Sequence, residues 1–565
     1  MEPVFFQLAL ILFAAFVISY IIRIFNQPII IGYIIAGILL GPFIFKSASI
    51  EMIHFFSELG IAFLLFIVGL HLNPKVIREI GGSSLIVGIF QIFFTFCIGF
   101  LIGYLLKFDI ISSFYIGVAL SFSSTIIIMK LLSDQSQLDS LFGKISIGIL
   151  IVQDLVAVGL LMFISSMKDS VSFYNLALSG LIEGLGLILF LFLTGMFILP
   201  KLTQSIAKNQ ELLFLFSISW AFLISALFAW RGFSIEIGAL VAGVVLSISP
   251  YATEISSKIR PLRDFFLIIF FIILGSGIQV SNINSIITNA VIFSLIALII
   301  KPLIIMSLMA MGGYTKRTNF LTGTTLAQIS EFSIIILALG LSLNHISSEL
   351  VSTITLTLLI TTTLSTYMII YSNQFYRKMM GFLVLFEKKN IKEKRKIAKK
   401  YDVILFGYNR IGYNILRAIR RIKKKYLIVD FNPDTINNLN KLRIPALYGD
   451  VYDPDLLDEL PLNKVELVVS TVPDFETNVL LVDTVKGINP KAIVILRAHS
   501  VKDALDLYKK GADYVLTPHF LGGEYLANMI SKLKTNNKKY TPEKQKHLKM
   551  LEEILEKGLQ NNHQK

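Results

Sequence analysis

The chain has 565 residues, 54% of them hydrophobic, with a mean hydropathy of +0.71 and a formal net charge of +14. The apolar excess lies before about residue 380, so the composition excludes a purely soluble protein and describes a polytopic membrane protein with a soluble C-terminal part. The one cysteine, Cys97, sits in an apolar run and forms no internal disulfide, which excludes a secreted disulfide scaffold. The basic residues crowd the loops and the stretch from 388 to 400, a pattern for a membrane surface and not for nucleic acid.

Apolar runs punctuated by Gly, Pro and charge predict thirteen spans, at residues 5–25, 28–45, 53–71, 83–106, 110–132, 143–167, 176–199, 210–229, 233–249, 263–280, 285–311, 319–343 and 350–376. The first run is too long for a cleaved leader and leads directly into the second. With the N-terminus outside, twelve Lys and Arg fall in inside loops, against only Lys46, Lys107, Lys168 and Arg231 outside. That bias predicts a multi-pass protein of the cell membrane with its C-terminal part in the cytoplasm.

The fifth span is interrupted by Ser121-Phe122-Ser123-Ser124-Thr125, hydroxyl groups that can re-satisfy the backbone where a helix unwinds. The sixth, Gly143 to Met167, carries Gln153 and Asp154 at its centre. A carboxylate at mid-membrane costs about 2.5 to 3.5 kcal/mol, so it faces a partner or an aqueous cavity and has a use. Glu183 in the seventh span reads as a lining or helix-end residue. Lys301 in the eleventh, followed by Pro302, needs a carboxylate or a helix C-terminus, and Asp154 or the broken helices are the available partners. The twelfth span is interrupted like the fifth, by Thr322-Gly323-Thr324-Thr325 and then Gln328, Ser330 and Glu331. Interrupted helices at matched positions in two halves of opposite orientation point to a transporter's ion site.

The texture changes at residue 377. Residues 377–400 read as a basic amphipathic connector on the lipid surface, 401–530 as an α/β domain, and 531–565 as a polar helical tail, after a membrane domain of 1–376. Strand and helix alternate through YDVILFGYNRIG, YLIVDFN, PALYGD, ELVVSTVP, AIVILRAHS and DYVLTP, which predicts a parallel sheet flanked by helices. Gly407-Tyr408-Asn409-Arg410-Ile411-Gly412 is a G-x-N-x-x-G variant of the dinucleotide fingerprint, and Asp430 follows the last glycine by 18 residues. The glycines allow the tight turn, the helix N-terminus receives a phosphate, and Asp430 can accept a ribose hydroxyl. Asn409 stands where a glycine lets the backbone approach a pyrophosphate.

Pro28-Ile-Ile-Ile-Gly32-Tyr33 with Ala36-Gly37-Ile-Leu-Leu-Gly41-Pro42, Gly60-Ile-Ala-Phe-Leu-Leu-Phe66-Ile-Val-Gly69-Leu70, Gly238-Ala-Leu-Val-Ala-Gly243 and Ala327-Gln328-Ile-Ser-Glu331-Phe332 are highly specific together. They resemble the monovalent cation:proton antiporter-2 family, in particular its Kef-type potassium/proton antiporters with a C-terminal TrkA-N, or RCK, regulatory domain. The resemblance covers nearly the whole chain. It implies two crossed broken helices in inverted repeats beside a dimerisation domain, an elevator-like motion and a homodimer. Asp154 falls on the family's ion-binding aspartate, Gln153 on the preceding position and Lys301 on the core-helix basic residue. His71 and Asn409 depart from the family pattern.

The expected ion site comprises Asp154, Gln153, Ser123, Ser124, Thr125, Lys301, Gln328 and Glu331, with potassium, or sodium, and protons as cargo. The expected site for an adenine nucleotide, AMP or NAD(H), comprises Gly407, Asn409, Arg410, Ile411, Gly412, Asp430, Gly449 and Asp450. With Gln153 neutral, one carboxylate exchanges one proton for one cation, so turnover moves no net charge. A sodium/proton exchanger of the same fold is the main alternative. An RCK-gated potassium channel needs a TVGYG filter, which the sequence lacks. A membrane-anchored dehydrogenase needs a substrate domain, and only about 35 residues follow the α/β domain, so no enzyme is expected.

Overall fold

The structure is a computed structural model that describes residues 4–44, 50–71, 82–135, 137–165, 191, 199–207, 209–230, 235–278, 283–387, 400–408, 411–534 and 537–556. The seventh predicted span apart from Leu191 and Leu199, Glu183, residues 388–399 of the connector, Asn409, Arg410 and the end of the tail lie outside the described residues, as does the side chain of His71. The chain divides into two compact units, one essentially 1–389 and the other 390–565.

Among the described residues the membrane unit is helical: α1 (Val4–Ile24), α2 (Ile29–Ile44), α3 (Ile50–His71), α4 (Gly82–Leu105), α5 (Ile110–Ser121), α6 (Thr125–Asp134), α7 (Leu141–Ser165), α8 (Leu199–Ile206), α9 (Gln210–Trp230), α10 (Ile235–Leu246), α11 (Ala252–Ser276), α12 (Ile283–Leu295), α13 (Lys301–Met311), α14 (Lys316–Thr325), α15 (Glu331–Ser342), α16 (Ser348–Ile370) and α17 (Ser372–Leu383). Among the described residues, six stretches are long and apolar enough to cross a membrane, including α5 with α6 and α12 with α13 taken as single spans. Two motif glycines set helix spacing. A Cβ on Gly37 would lie 2.0 Å from the Ile272 carbonyl oxygen, and one on Gly243 would lie 2.1 Å from that of Phe66. Backbones that close exclude any side chain, which is why α2 packs on α11 and α3 on α10 through glycine.

Several predicted spans differ from their helices, the tenth most, since it was expected from 263 and its helix α11 begins at Ala252. The thirteenth span stops at Ile370 instead of 376: the chain turns at Tyr371 and starts the separate helix α17, where Ser372, Asn373 and Gln374 replace the apolar run. The eleventh span holds a π-helical turn, Ile296–Ile300, in which the Lys301 N–H reaches back to the Ile296 carbonyl. Pro302 has no N–H to continue the ladder, and the local π turn absorbs that loss and re-aims Lys301.

The soluble unit is a six-stranded parallel sheet in the order β3-β2-β1-β4-β5-β6, with β1 (Val403–Phe406), β2 (Tyr426–Asp430), β3 (Ala446–Tyr448), β4 (Leu467–Ser470), β5 (Ile493–Arg497) and β6 (Tyr514–Leu516). Helices α18 (Ile411–Arg421), α19 (Pro433–Lys441), α20 (Pro454–Glu459), α21 (Phe475–Ile488) and α22 (Val501–Lys509) alternate with the strands, and α23 (Pro518–Leu533) and α24 (Asn537–Glu556) follow β6. This is the doubly wound order, whose crevice opens where strand order reverses, beyond the C-terminal ends of β1 and β4.

Candidate ion site and nucleotide cleft

The fifth span does break, at Phe122-Ser123-Ser124, and the twelfth at residues 326–330. Each break is closed by a serine at the start of the next half-helix: Ser124 Oγ accepts the Ile127 N–H and Ser330 Oγ the Phe332 N–H. The two breaks meet. Ser123 Oγ donates to the Leu326 carbonyl at 3.0 Å, and Ser124 Oγ to Glu331 Oε1 at 2.6 Å.

Lys301, fully buried, ties them together. Its Nζ donates to the Phe122 carbonyl at 2.8 Å and the Gln328 carbonyl at 3.0 Å, one from each break. Of the partners open to it in the sequence, the broken helices and not Asp154 receive its bonds. The Phe122 oxygen caps the end of α5 and the Gln328 oxygen lies in the unwound segment after α14, and an ammonium satisfies both with charge-assisted bonds.

Asp154 projects from the middle of α7 and is half-buried. Thr125, the first residue of α6, donates its hydroxyl to Asp154 Oδ2 at 3.1 Å and Oδ1 at 3.2 Å. The carboxylate therefore lies beside a helix N-terminus, where backbone N–H groups and the helix dipole favour negative charge. Glu331, buried at the first position of α15, lies at a second helix N-terminus and is joined to the first site by the consecutive residues Ser124 and Thr125.

Gln153 is buried, and both ends of its amide are engaged by protein. Oε1 accepts the Ser123 N–H at 2.9 Å, and Nε2 donates to Gln91 Oε1 at 2.6 Å. Gln328, also buried, accepts from Ser365 Oγ at 2.8 Å. The threonines of the twelfth span behave differently from the serines of the fifth. Thr322, Thr324 and Thr325 return their hydroxyls to carbonyls of their own helix, at Thr318, Phe320 and Leu321. Gln91, Ser333 and Ser365 escaped the sequence reading. Ser333 Oγ donates to the Ala119 carbonyl at 2.7 Å. Gln91 alone had a signal, as a lone amide in an apolar span.

On the side of the crossing away from the break, α17 docks on α14. Tyr376 and Leu383 are buried with Phe320 and Leu321, and the Phe320 and Tyr376 rings lie 5.9 Å apart. Arg317 Nη2 donates to Asn373 Oδ1 at 2.9 Å, and Asn319 Nδ2 to the Phe386 carbonyl at 2.9 Å. The residues that leave the membrane unit are thus fastened to the half-helix that leads into the second break.

In the soluble unit Gly407 has φ +83, and Thr471, just past β4, donates its hydroxyl to the Gly407 carbonyl at 3.0 Å. A Cβ on Gly412 would lie 2.2 Å from that same carbonyl oxygen. Both glycines are required by the turn that brings α18 against β1. Asp430, at the C-terminal end of β2, accepts the Tyr408 N–H at 2.8 Å and the Asn432 N–H at 2.9 Å. Gly449 follows β3 and bonds the Asp430 carbonyl through its N–H at 3.0 Å, and Asp450 Oδ1 accepts the Tyr452 N–H at 3.0 Å. Ile411 opens α18. Burial, reinforced by Tyr413, holds the Tyr408 phenol above its usual range and neutral. These features fit a nucleotide: a close-turned glycine loop, a helix N-terminus and an acid at the end of the second strand.

A crossing of two broken helices around buried ionisable groups, carried by the same chain as a doubly wound sheet, defines a secondary transporter with an attached Rossmann-like domain. The chain belongs to the sodium/hydrogen exchanger family: residues 11–370 match the profile "Sodium/hydrogen exchanger, transmembrane", and residues 403–518 match the TrkA-N domain. Among its relatives, K(+) efflux antiporter 4 of Arabidopsis thaliana is 28% identical over 338 residues, 58% of this chain and 56% of that protein. Glutathione-regulated potassium-efflux system protein KefC of Enterobacter sp. (strain 638) is 26% identical over 501 residues, 86% of this chain and 78% of that one. The Kef-type resemblance read from the motifs therefore holds. Among solved structures, the sodium proton antiporter MjNhaP1 of Methanocaldococcus jannaschii aligns with a TM-score of 0.44 at 15% identity, over 67% of this chain and 97% of that one.

Proposed function

We propose that the protein exchanges potassium for protons across the membrane, one for one, at Asp154, and that a nucleotide in the soluble domain gates the exchange. The observation that carries the reading is the Asp154 carboxylate, half-buried at mid-span and held by Thr125 at the N-terminus of α6. A carboxylate there binds a proton or a dehydrated cation, never both. The core crosses only when the carboxylate is occupied, because a bare charge in hydrocarbon is too costly. The oxygens of Thr125, Ser123 and Ser124 complete a neutral set of the kind hard alkali ions accept. Lys301 acts as the clasp of the crossing, since both its bonds go to the breaks. The names of the relatives support potassium as the cargo.

The test is Asp154→Asn in proteoliposomes with a pH-sensitive dye. Cation-driven proton flux should fall to the level of protein-free vesicles, because asparagine carries no exchangeable proton. Flux at the wild-type rate would remove Asp154 from the mechanism. Running each alkali cation in the same vesicles separates potassium from sodium, and a voltage dependence of wild-type exchange would count against one-for-one stoichiometry.

In the gating part of this reading the TrkA-N domain lies in the cytoplasm, as the excess of inside-loop Lys and Arg supports, and the working unit is a homodimer. Gly407, Ile411 and Gly412 would receive the phosphates of AMP or NAD(H), and Asp430 a ribose hydroxyl, with Gly449 and Asp450 bordering the same edge. A ligand gates only if it binds two arrangements differently. The docked helix α17 supports a route for that difference, because it is fastened to the half-helix before the second break. Calorimetry on the intact protein should detect AMP or NADH binding that Gly412→Ala abolishes. Absence of any adenine nucleotide binding to the wild type would leave the gate without its ligand.

A further inference from the structure

An unbroken fifth span would pair the Ser123 N–H with the Ala119 carbonyl and the Ser121 carbonyl with the Thr125 N–H. The break frees these groups inside the bundle, and each orphan must find a partner. The Ala119 carbonyl takes the Ser333 hydroxyl and the Phe122 carbonyl takes Lys301. Two more, the Ser121 carbonyl at the end of α5 and the Ser123 N–H inside the break, are taken by a pair of glutamines. Gln91 Nε2 donates to the Ser121 carbonyl at 3.0 Å and to Thr95 Oγ1 at 3.2 Å, and Gln153 Oε1 accepts the Ser123 N–H at 2.9 Å. Gln153 Nε2 to Gln91 Oε1, at 2.6 Å, joins them. Both side chains are buried.

The orientation of this chain is forced from one end. The Ser121 carbonyl only accepts, so the amino end of Gln91 must face it, and the Gln91 oxygen must then face position 153. An oxygen there demands a donor, which the Gln153 amide supplies, and the Gln153 oxygen is left to meet the Ser123 N–H. A carboxylate at position 153 would set two acceptors against each other in a buried site.

We propose that Gln91 is a positioning residue of the ion site. With Gln153 it forms an amide staple across the break, holding Ser123 to Thr125 so that the Thr125 hydroxyl meets Asp154. By presenting only an acceptor to position 153 it also requires a neutral amide there, which leaves Asp154 as the one titrating member of the Gln153-Asp154 pair. On this assignment Gln153 acts on the break and not on the cation. The proposal rests on Asp154 being the exchange site, and it gives Gln91, on a different helix, a part in one-for-one stoichiometry.

Two near-isosteric variants test it. Gln91→Met keeps length and loses every hydrogen bond. It should raise the KM for the cation about tenfold with a smaller change in kcat, and should speed amide hydrogen exchange in the 119–127 segment. Gln91→Glu can donate to the Ser121 carbonyl only when protonated, so it should work in acid and fail toward alkaline pH, where the wild type still turns over. The double variant Gln91→Met/Gln153→Met should be no worse than the poorer single one, because the two act as a unit. Wild-type KM and wild-type exchange protection in Gln91→Met would overturn the proposal. So would a Gln91→Glu pH profile that overlays the wild type, which decides the matter if Gln91→Met does not fold. If the wild-type protein exchanges no alkali cation for protons, the antiport reading fails, and exchange protection at 119–127 still decides the staple.

Discussion

The two breaks solve the same problem with different chemistry. In the fifth span three residues are unwound, and side chains from α4, α7, α13 and α15 meet the freed backbone groups. In the twelfth, five residues are unwound and the bonds come from Lys301, from Ser123 and from α16, where the Thr361 hydroxyl accepts the Ile329 N–H at 3.5 Å. The carboxylates differ in the same sense. Asp154 comes from a neighbouring helix to the start of α6, whereas Glu331 belongs to the half-helix it begins and is bound by Ser124. A carboxylate delivered from outside can approach or leave a helix N-terminus. One that is part of that terminus moves with it. On the function proposed above, the fifth break is the site and the twelfth its support.

Four substitutions bear on this difference. Lys301→Met removes a side chain bonded to both breaks and strands two buried carbonyls, at a cost of about 3 kcal/mol or more. It should lower the Tm of the detergent-solubilised protein by several degrees. An unchanged Tm with lost transport would instead give Lys301 a role at the ion. Next in size, Thr125→Val leaves Asp154 without its hydroxyl partner and should raise the KM for the cation about tenfold, with little change in Tm. Equal effects of Thr125→Val and Ser330→Ala on the KM would erase the distinction between the breaks. The smallest effect is expected for Thr322→Val. Its hydroxyl bonds a carbonyl of its own helix, so stability should change by less than about 1 kcal/mol and exchange not at all. A large loss of exchange would return the twelfth-span threonines to the site.

Much of this architecture was legible in the sequence, because hydropathy and punctuation act locally. The apolar runs, the interrupted fifth and twelfth spans, the buried ionisable residues and the glycine loop before a helix could all be read without a partner in view. The end of the last span was misplaced because Phe375 and Tyr376, beyond the polar Ser372-Asn373-Gln374, read as more of the apolar run, whereas they belong to α17, whose Tyr376 is buried against α14. The Ser and Thr clusters looked alike in the sequence, yet one joins the two breaks and the other is returned to its own helix. Gln153 looked like half of an ion-binding pair, and its amide is engaged on both sides by protein.

The sequence by itself determined that Asp154, Glu331 and Lys301 are buried in apolar helices and must be compensated, since the cost of an uncompensated charge in hydrocarbon does not depend on fold. It also determined the switch to a doubly wound domain, through the change of hydrophobic period after residue 400. Only the tertiary structure decided who compensates whom. Lys301 is 179 residues from Phe122, Ser124 is 207 from Glu331, and Gln91 is 62 from Gln153. Hydrogen bonds are short and directional, so such pairings exist only once the helices have packed, and no local pattern carries them.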